Sequence, residues 1–265
     1  MTGKTISINS SRGGTGKTVI ATNMAVVLAK EGLNVALFDM DFRAPSLATV
    51  FSKQLKGEIE YWLNDYLNGK CSAQQAVRNI PKSNLKGHLY VGFANPSVKA
   101  ITNIMEKSQA WEVSAIKKLF LLREVLFNEM KVDYCIFDTS PGIQYSSVNA
   151  AIASDLCIVV TTLDMLDMKG AESLLKNLYD NVAKKTVVLI NKVFPETCPW
   201  PNDRILELVK ITEANLNHKV IGIIPCYCNV LQAGRISFFA EERPFHPFLK
   251  NLEDIVGNIK TLISG

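Results

Sequence analysis

Apolar runs of strand length recur along the chain, at Thr5–Asn9, Asn34–Asp39, Leu89–Phe93, Tyr134–Asp138, Leu156–Thr161, Thr186–Asn191 and Val220–Ile224. Most are too continuous to leave one face in water, so they read as strands buried on both faces. Helical stretches separate them: Lys17–Lys30, Glu112–Lys131, Lys169–Asn181 and Asp203–Asn215. Strand alternating with helix predicts an α/β fold, a mostly parallel twisted sheet with helices on both faces. With 265 residues, 48% of them hydrophobic, and no internal repeat or Pro/Ser/Gly linker, residues 1–265 are expected to form a single domain. Ligands of such sheets bind beyond the carboxyl ends of the strands. The informative residues therefore directly follow the runs: a Gly-rich loop after Asn9, Asp39 and Asp41 after the second run, Asp138, Asn191 and Pro225.

Gly13-Gly14-Thr15-Gly16-Lys17-Thr18, followed by Val19, stands between a strand and a helix, the setting of a phosphate-binding P-loop. Glycines let backbone N–H groups turn inward around phosphates, and the following helix directs its positive end at them. Lys17 is expected to reach the β- and γ-phosphates, and the Thr18 hydroxyl to ligate Mg²⁺. A Mg²⁺·triphosphate also calls for carboxylates at strand ends facing the loop, the position of Asp39 and Asp138. Gly142, in the loop after Asp138, can reorient at little steric cost as a phosphate sensor.

The strict P-loop pattern asks for glycine at position 11, where this chain has Ser11. The string resembles instead the deviant Walker A motif K-G-G-x-G-K-T of the ParA/MinD/Mrp family of P-loop ATPases, with Arg12 in place of the signature lysine. Asp39-Met40-Asp41-Phe42-Arg43-Ala44-Pro45-Ser46-Leu47 resembles that family's first switch, D-x-D-x-x-x-P-S-L. Asp133–Asp138 with Thr139-Ser140-Pro141-Gly142 resembles its Walker B and second switch. Ile190-Asn191-Lys192 and Val220–Pro225, continued by Val230–Ala233, resemble the two base-binding segments, and the layout is nearest to MinD- and ParA-like members. The resemblance runs from Thr5 to about Pro244. It implies a Mg²⁺-dependent ATP hydrolase, slow and stimulated by a protein partner, that forms a homodimer on binding ATP to position or partition a cargo. It implies that Asp41 positions the attacking water, and that residue 12 crosses to the partner's phosphates. Asp41 also has a plainer reading as a helix N-cap ahead of Pro45-Ser46, and Arg12 as a solvated loop arginine.

Asn191-Lys192 begins like the N-K-x-D element of GTPases, but the aspartate that would accept from guanine is replaced by Phe194. The Asn191 amide suits the adenine N6/N7 edge, so ATP is expected, with Pro225 and Cys226 beside the base. As a plainer reading, Asn191 is a strand-end turn residue.

Other functions remain open on sequence. A metal or iron–sulfur carrier of the Mrp-like branch would need paired thiols; Cys198-Pro199-Trp200-Pro201 lacks the second cysteine of a C-x-x-C, although Cys226 and Cys228 of two chains together make four thiolates. A kinase or synthetase on the same core would need an acceptor site, for which the segment from Gly57 to Lys131 leaves room, yet His88, His218 and His246 are scattered. Leu252, Ile255, Val256, Ile259, Leu262 and Ile263 form an apolar stripe that suits either a membrane surface or, as expected from an opposite face without a basic cluster, the protein's own sheet. A net charge of +4 neither demands nor excludes DNA or anionic lipid, and Arg43, Lys99, Lys117, Lys118, Lys184 and Lys185 are candidates for a DNA face. Six cysteines are too sparse for a disulfide framework, and the N-terminus lacks the long apolar stretch of a signal peptide. A cytoplasmic location, peripheral to membrane or nucleoid, is expected.

Overall fold

A computed structural model describes residues 3–81, 85–183, 185–194, 202–232, 243 and 245–264. Its eight strands are β1 (Lys4–Asn9), β2 (Val35–Met40), β3 (Arg78–Asn79), β4 (Leu89–Gly92), β5 (Tyr134–Thr139), β6 (Leu156–Thr161), β7 (Thr186–Val193) and β8 (Val220–Pro225). They form one sheet in the order β3-β4-β2-β5-β1-β6-β7-β8. Every pairing is parallel except that of the short β3 with β4. The chain is thus α/β with a mostly parallel sheet, as the alternation of runs predicted. β1 lies between β5 and β6, so the chain leaves it first toward one side of the sheet and later fills the other. A crevice opens at the carboxyl ends where the order reverses.

The long helix α1 (Lys17–Lys30) buries Ile20 to Ala29 almost without interruption, which an amphipathic surface helix would not do. The reason is a second layer: α11 (Pro247–Ser264) packs against α1 and β8, placing Leu252, Ile255, Val256 and Ile259 in the same core cluster. The C-terminal stripe therefore faces the sheet. Truncating Leu252, fully buried there, would cost about 2–5 kcal/mol. Among the described residues no helix is long and apolar enough to cross a membrane.

The opposite face is covered by α5 (Gln109–Asn128) and α6 (Tyr145–Ile152), whose Leu119, Leu122, Leu126 and Ala150 meet Phe38 and Phe137 of the central strands. α5 begins earlier than Glu112 because Ser108 accepts from the Trp111 N–H, and it ends before Lys131, which adopts a left-handed φ of 55°. The remaining helices are α2 (Leu47–Val50), α3 (Leu63–Leu67), α4 (Val98–Met105), α7 (Met165–Leu174), α8 (Asp180–Val182), α9 (Asn202–Leu216) and α10 (Cys228–Gln232), with a π turn at Leu175–Tyr179 between α7 and α8. β3, α2, α3, α4, α6 and α10 had no counterpart in the sequence pattern. They are too short for their periodicity to stand out.

Candidate active site

The loop between β1 and α1 owes its shape to Gly14 and Gly16, with φ of +85° and +101°, values that L side chains rarely adopt. Gly16 has a second constraint: a Cβ there would lie 2.4 Å from Asn191 Nδ2. Two side chains from the end of β7 clasp the loop, Asn191 Nδ2 donating to the Thr15 carbonyl at 2.7 Å and Lys192 Nζ to the Gly14 carbonyl at 2.7 Å. Buried Lys17 donates to Ser10 Oγ at 2.6 Å, and that hydroxyl donates to the Arg12 carbonyl at 2.6 Å. The lysine is thus held inside its own loop. From β5, Thr139 donates to the Ile8 carbonyl and to Asn9 Oδ1, and the Gly142 N–H donates to the Ser10 carbonyl at 2.8 Å. The segment after β5 is thereby fastened to the phosphate loop.

Asp39 and Asp138 are directly opposite each other in the β2–β5 register, and both are buried. Burial, and then the neighbouring Asp138, push the Asp39 carboxyl up to about 8, against three backbone N–H groups that favour its charge. Those donors are Ser46 and Leu47 on one oxygen and Asp41 on the other, so Asp39 also shapes the loop of residues 41–47. Two carboxylates confined together at a strand end are a fitting donor set for a divalent cation, whose charge would offset their repulsion, and Thr18 lines the adjoining cleft. Asp41 also lines that cleft; its Oδ1 accepts from the Ala44 N–H at 3.1 Å and from Ser140 Oγ at 2.9 Å, joining the loop after β2 to the one after β5. It does not cap α2, whose N-cap position is Ser46.

The cleft has a volume of about 340 Å³ and runs from Gly13, Gly14, Gly16 and Lys17 past Val19 to Pro225 and Cys226. Its far wall is apolar: Ile224, Tyr227, Val230, Leu231 and Phe248. Tyr227 is fixed by its hydroxyl, which donates to Asn251 Oδ1 at 2.7 Å, and by edge contacts with His246 and Phe248. Sequence reasoning missed Tyr227, Phe248 and the contact of His246 with this wall. No local motif marks them, and only folding brings α11 beside the end of β8. Asn191 belongs to β7 and lines the cleft rather than standing in a turn, while Phe194 is exposed and outside the lining.

Arg12, Thr15, Gly142, Asp39 and Asp138 frame the site from outside the lining. Half-exposed Arg12 reaches toward its own chain's Asp167 and Asp164, at 3.7 and 3.9 Å. Of the candidate DNA-facing cations, Lys118 and Lys185 donate to the carbonyls of Tyr66 and Leu262. Lys184, the Cys198–Pro201 string, Ala233 and Pro244 lie outside the described residues.

A family model described as AAA domain matches residues 3–191. Over 261 residues the chain is 26% identical to the septum site-determining protein MinD of Thermotoga maritima, covering 97% of this chain and 88% of that one. Its fold is similar to that of MinD from Pyrococcus horikoshii complexed with Mg-ADP, with a TM-score of 0.75, 18% identity and coverage of 98% and 96% of the two chains. It is similar also to the MinC:MinD cell division protein complex of Aquifex aeolicus, with a TM-score of 0.73, 21% identity and coverage of 97% and 96%.

Proposed function

The chain belongs to the AAA-domain family of P-loop ATPases, in its ParA/MinD branch, and from that premise we propose that it binds ATP with Mg²⁺ and uses hydrolysis to switch between a one-chain and a two-chain state that positions a cargo. The observation that carries this reading is the continuity of the cleft, from a buried lysine in a glycine loop to an apolar wall of Ile224, Tyr227, Val230, Leu231 and Phe248. In this reading residues 1–265 act as a single domain.

In this reading Lys17 leaves Ser10 for the β- and γ-phosphate oxygens, and the inward N–H groups of Gly13 to Thr18 complete the cradle. Thr18, Asp39 and Asp138 would hold Mg²⁺, which when bound would supply positive charge to offset that of the phosphates. Asp41 orients the attacking water, and its bond to Ser140 makes that orientation depend on both switch segments. At the far end, Asn191 Oδ1 accepts from the adenine N6 amine while its Nδ2 keeps hold of Thr15.

The second copy is proposed to sit over the phosphate loop, where exposed Leu163, Met165 and Leu166 adjoin Asp164 and Asp167, the partners of Arg12, and where Ile143 and Tyr145 are exposed just after Gly142. Apolar side chains grouped around a charged crevice suit a surface covered only part of the time. Arg12, released from Asp164 and Asp167, then reaches the phosphates of that copy as an arginine finger. A protein partner that stimulates hydrolysis and a role in placing a division or partition assembly complete the proposal, by analogy with the MinD relatives. Light scattering and ATP turnover with and without Mg²⁺ test it: the expected result is a two-chain mass with ATP, one chain with ADP, and turnover only with the cation. A chain that binds no ATP, or stays single when saturated with it, overturns the reading.

A further inference from the structure

Outside the phosphate end, the cleft wall contains a second kind of chemistry. Half-buried Cys226 lines the cleft directly after β8, and exposed Cys228 opens α10, with Tyr227 between them. Even fully extended, a chain advances at most ~3.3–3.6 Å per residue, which holds the pair within ~7 Å, next to the ~4.4–6.8 Å that a disulfide spans. Burial, and then the neighbouring Cys228, push the Cys226 thiol up, while Lys192 pulls it down. The other described cysteines are placed differently. Cys135 and Cys157 are sealed in the core, Cys157 pushed up to about 12 by burial, and Cys71 is half-buried against the α3–α5 side.

We propose that Cys226 and Cys228 form a thiol–disulfide switch that closes the base end of the cleft, a modification site that regulates nucleotide binding and rests on the reading of this cleft as the ATP site. The oxidant is a low-molecular-weight disulfide. The exposed Cys228 thiolate attacks one of its sulfurs; the S–S bond breaks and one thiol leaves, taking up a proton. The Cys226 thiolate then attacks the Cys228 sulfur and displaces the second thiol. Two protein thiols are oxidised and one disulfide is reduced to two thiols, so atoms and electrons balance.

The consequence follows from what joins the two sulfurs. The Cys226 N–H is anchored to the Val193 carbonyl, so the adjustment falls on Tyr227 and the start of α10. The Tyr227 carbonyl accepts from the N–H groups of Val230 and Leu231, both of which line the cleft. Drawing Cys228 toward Cys226 therefore moves three wall residues together. By linkage, nucleotide in the cleft must disfavour the disulfide by the same factor by which the disulfide disfavours nucleotide.

The test exposes the full chain to oxidised glutathione, maps its cysteine peptides by mass, and measures ATP binding by calorimetry before and after. The expected result is a peptide carrying Cys226 and Cys228 that is lighter by two hydrogens, ATP affinity weakened about tenfold or more, full recovery on reduction, and slower oxidation when ATP is present. Cys228→Ser is expected to bind ATP as the reduced chain does and to keep that affinity through the same treatment. A disulfide that leaves ATP affinity unchanged overturns the proposal, as do glutathione adducts on separate cysteines without the internal bond, or a Cys228→Ser chain that loses binding as the parent does. A reduced chain that binds no ATP would sink the gating together with the site reading, and the peptide masses would distinguish that failure from a failure of the thiol chemistry.

Discussion

The two ends of the cleft are built by opposite means. At the phosphate end a contiguous string, Gly13 to Val19, supplies the cradle; hydrogen bonds donated by Asn191 and Lys192, and the one Ser10 accepts from Lys17, hold it in place. At the base end the wall is gathered from β8, α10 and α11, and most of its side chains are apolar and interchangeable in kind. A multiply charged group is recognised by a few strong, directional contacts; a flat ring is recognised by area spread over many weak ones. Single substitutions should therefore act unequally at the two ends.

The largest effect is expected from Lys17→Ala, which removes a charge-assisted contact of ~3 kcal/mol and should weaken ATP binding about a hundredfold or more, abolishing hydrolysis with it. Lys17→Arg should give little rescue, because its planar fork does not fit the same cradle. Calorimetry that finds tight ATP binding by the alanine variant breaks the comparison at its strongest point.

Asp41→Ala separates chemistry from binding within the same end. Loss of a water-positioning carboxylate should slow turnover by about 10²–10⁴-fold while ATP affinity stays close to that of the parent, so the two-chain state accumulates. Wild-type turnover by this variant would withdraw the assignment of Asp41.

Arg12 belongs to neither end of its own cleft, and its variant asks whether a second chain completes the site. Arg12→Ala is expected to retain ATP as a single chain and to lose most hydrolysis. The Arg12→Ala, Asp41→Ala double variant, examined by light scattering, should remain single where Asp41→Ala alone is trapped as a pair. Full pairing by the double variant removes Arg12 from the interface.

A pH series probes the carboxylates behind the phosphate end. The Asp39 carboxyl is raised to about 8 in the fold from 3.8, so between those values the folded chain binds more protons than the unfolded one. Its contribution is complete below the lower value and is lost as pH rises through the upper one. Without nucleotide or divalent cation the melting temperature should therefore fall by a few degrees between pH 6 and pH 8.5, and saturating Mg²⁺ with ATP should flatten that slope. A melting temperature that rises across this range would contradict the raised carboxyl.

The smallest effect is expected at the base end. Val230→Ala removes part of a wall that Tyr227, Leu231 and Phe248 continue, and should weaken ATP binding about threefold to fivefold, close to 1 kcal/mol of apolar contact. A loss there as large as that of Lys17→Ala would mean that base recognition is concentrated after all.

The chain's own letters determined the sheet and the phosphate end. Continuous apolar runs can be satisfied only by strands buried on both faces, and Gly14, Gly16 and Lys17 sit in a local loop whose chemistry needs no distant partner to be recognised. The strand ends were misjudged by only a residue or two, since the last residue of a run, such as Met40 or Thr139, is set by pairing with a neighbour strand. Tertiary structure decided the rest. It placed Phe248 and His246 beside Tyr227, turned the stripe of α11 onto α1 and β8 rather than toward a membrane, and gave Asp39 the loop of residues 41–47 to hold. The difference has one physical cause. A phosphate cradle is made from backbone N–H groups within a few consecutive residues, which a motif can record, whereas an apolar wall is made from whichever side chains the packing of distant segments brings together.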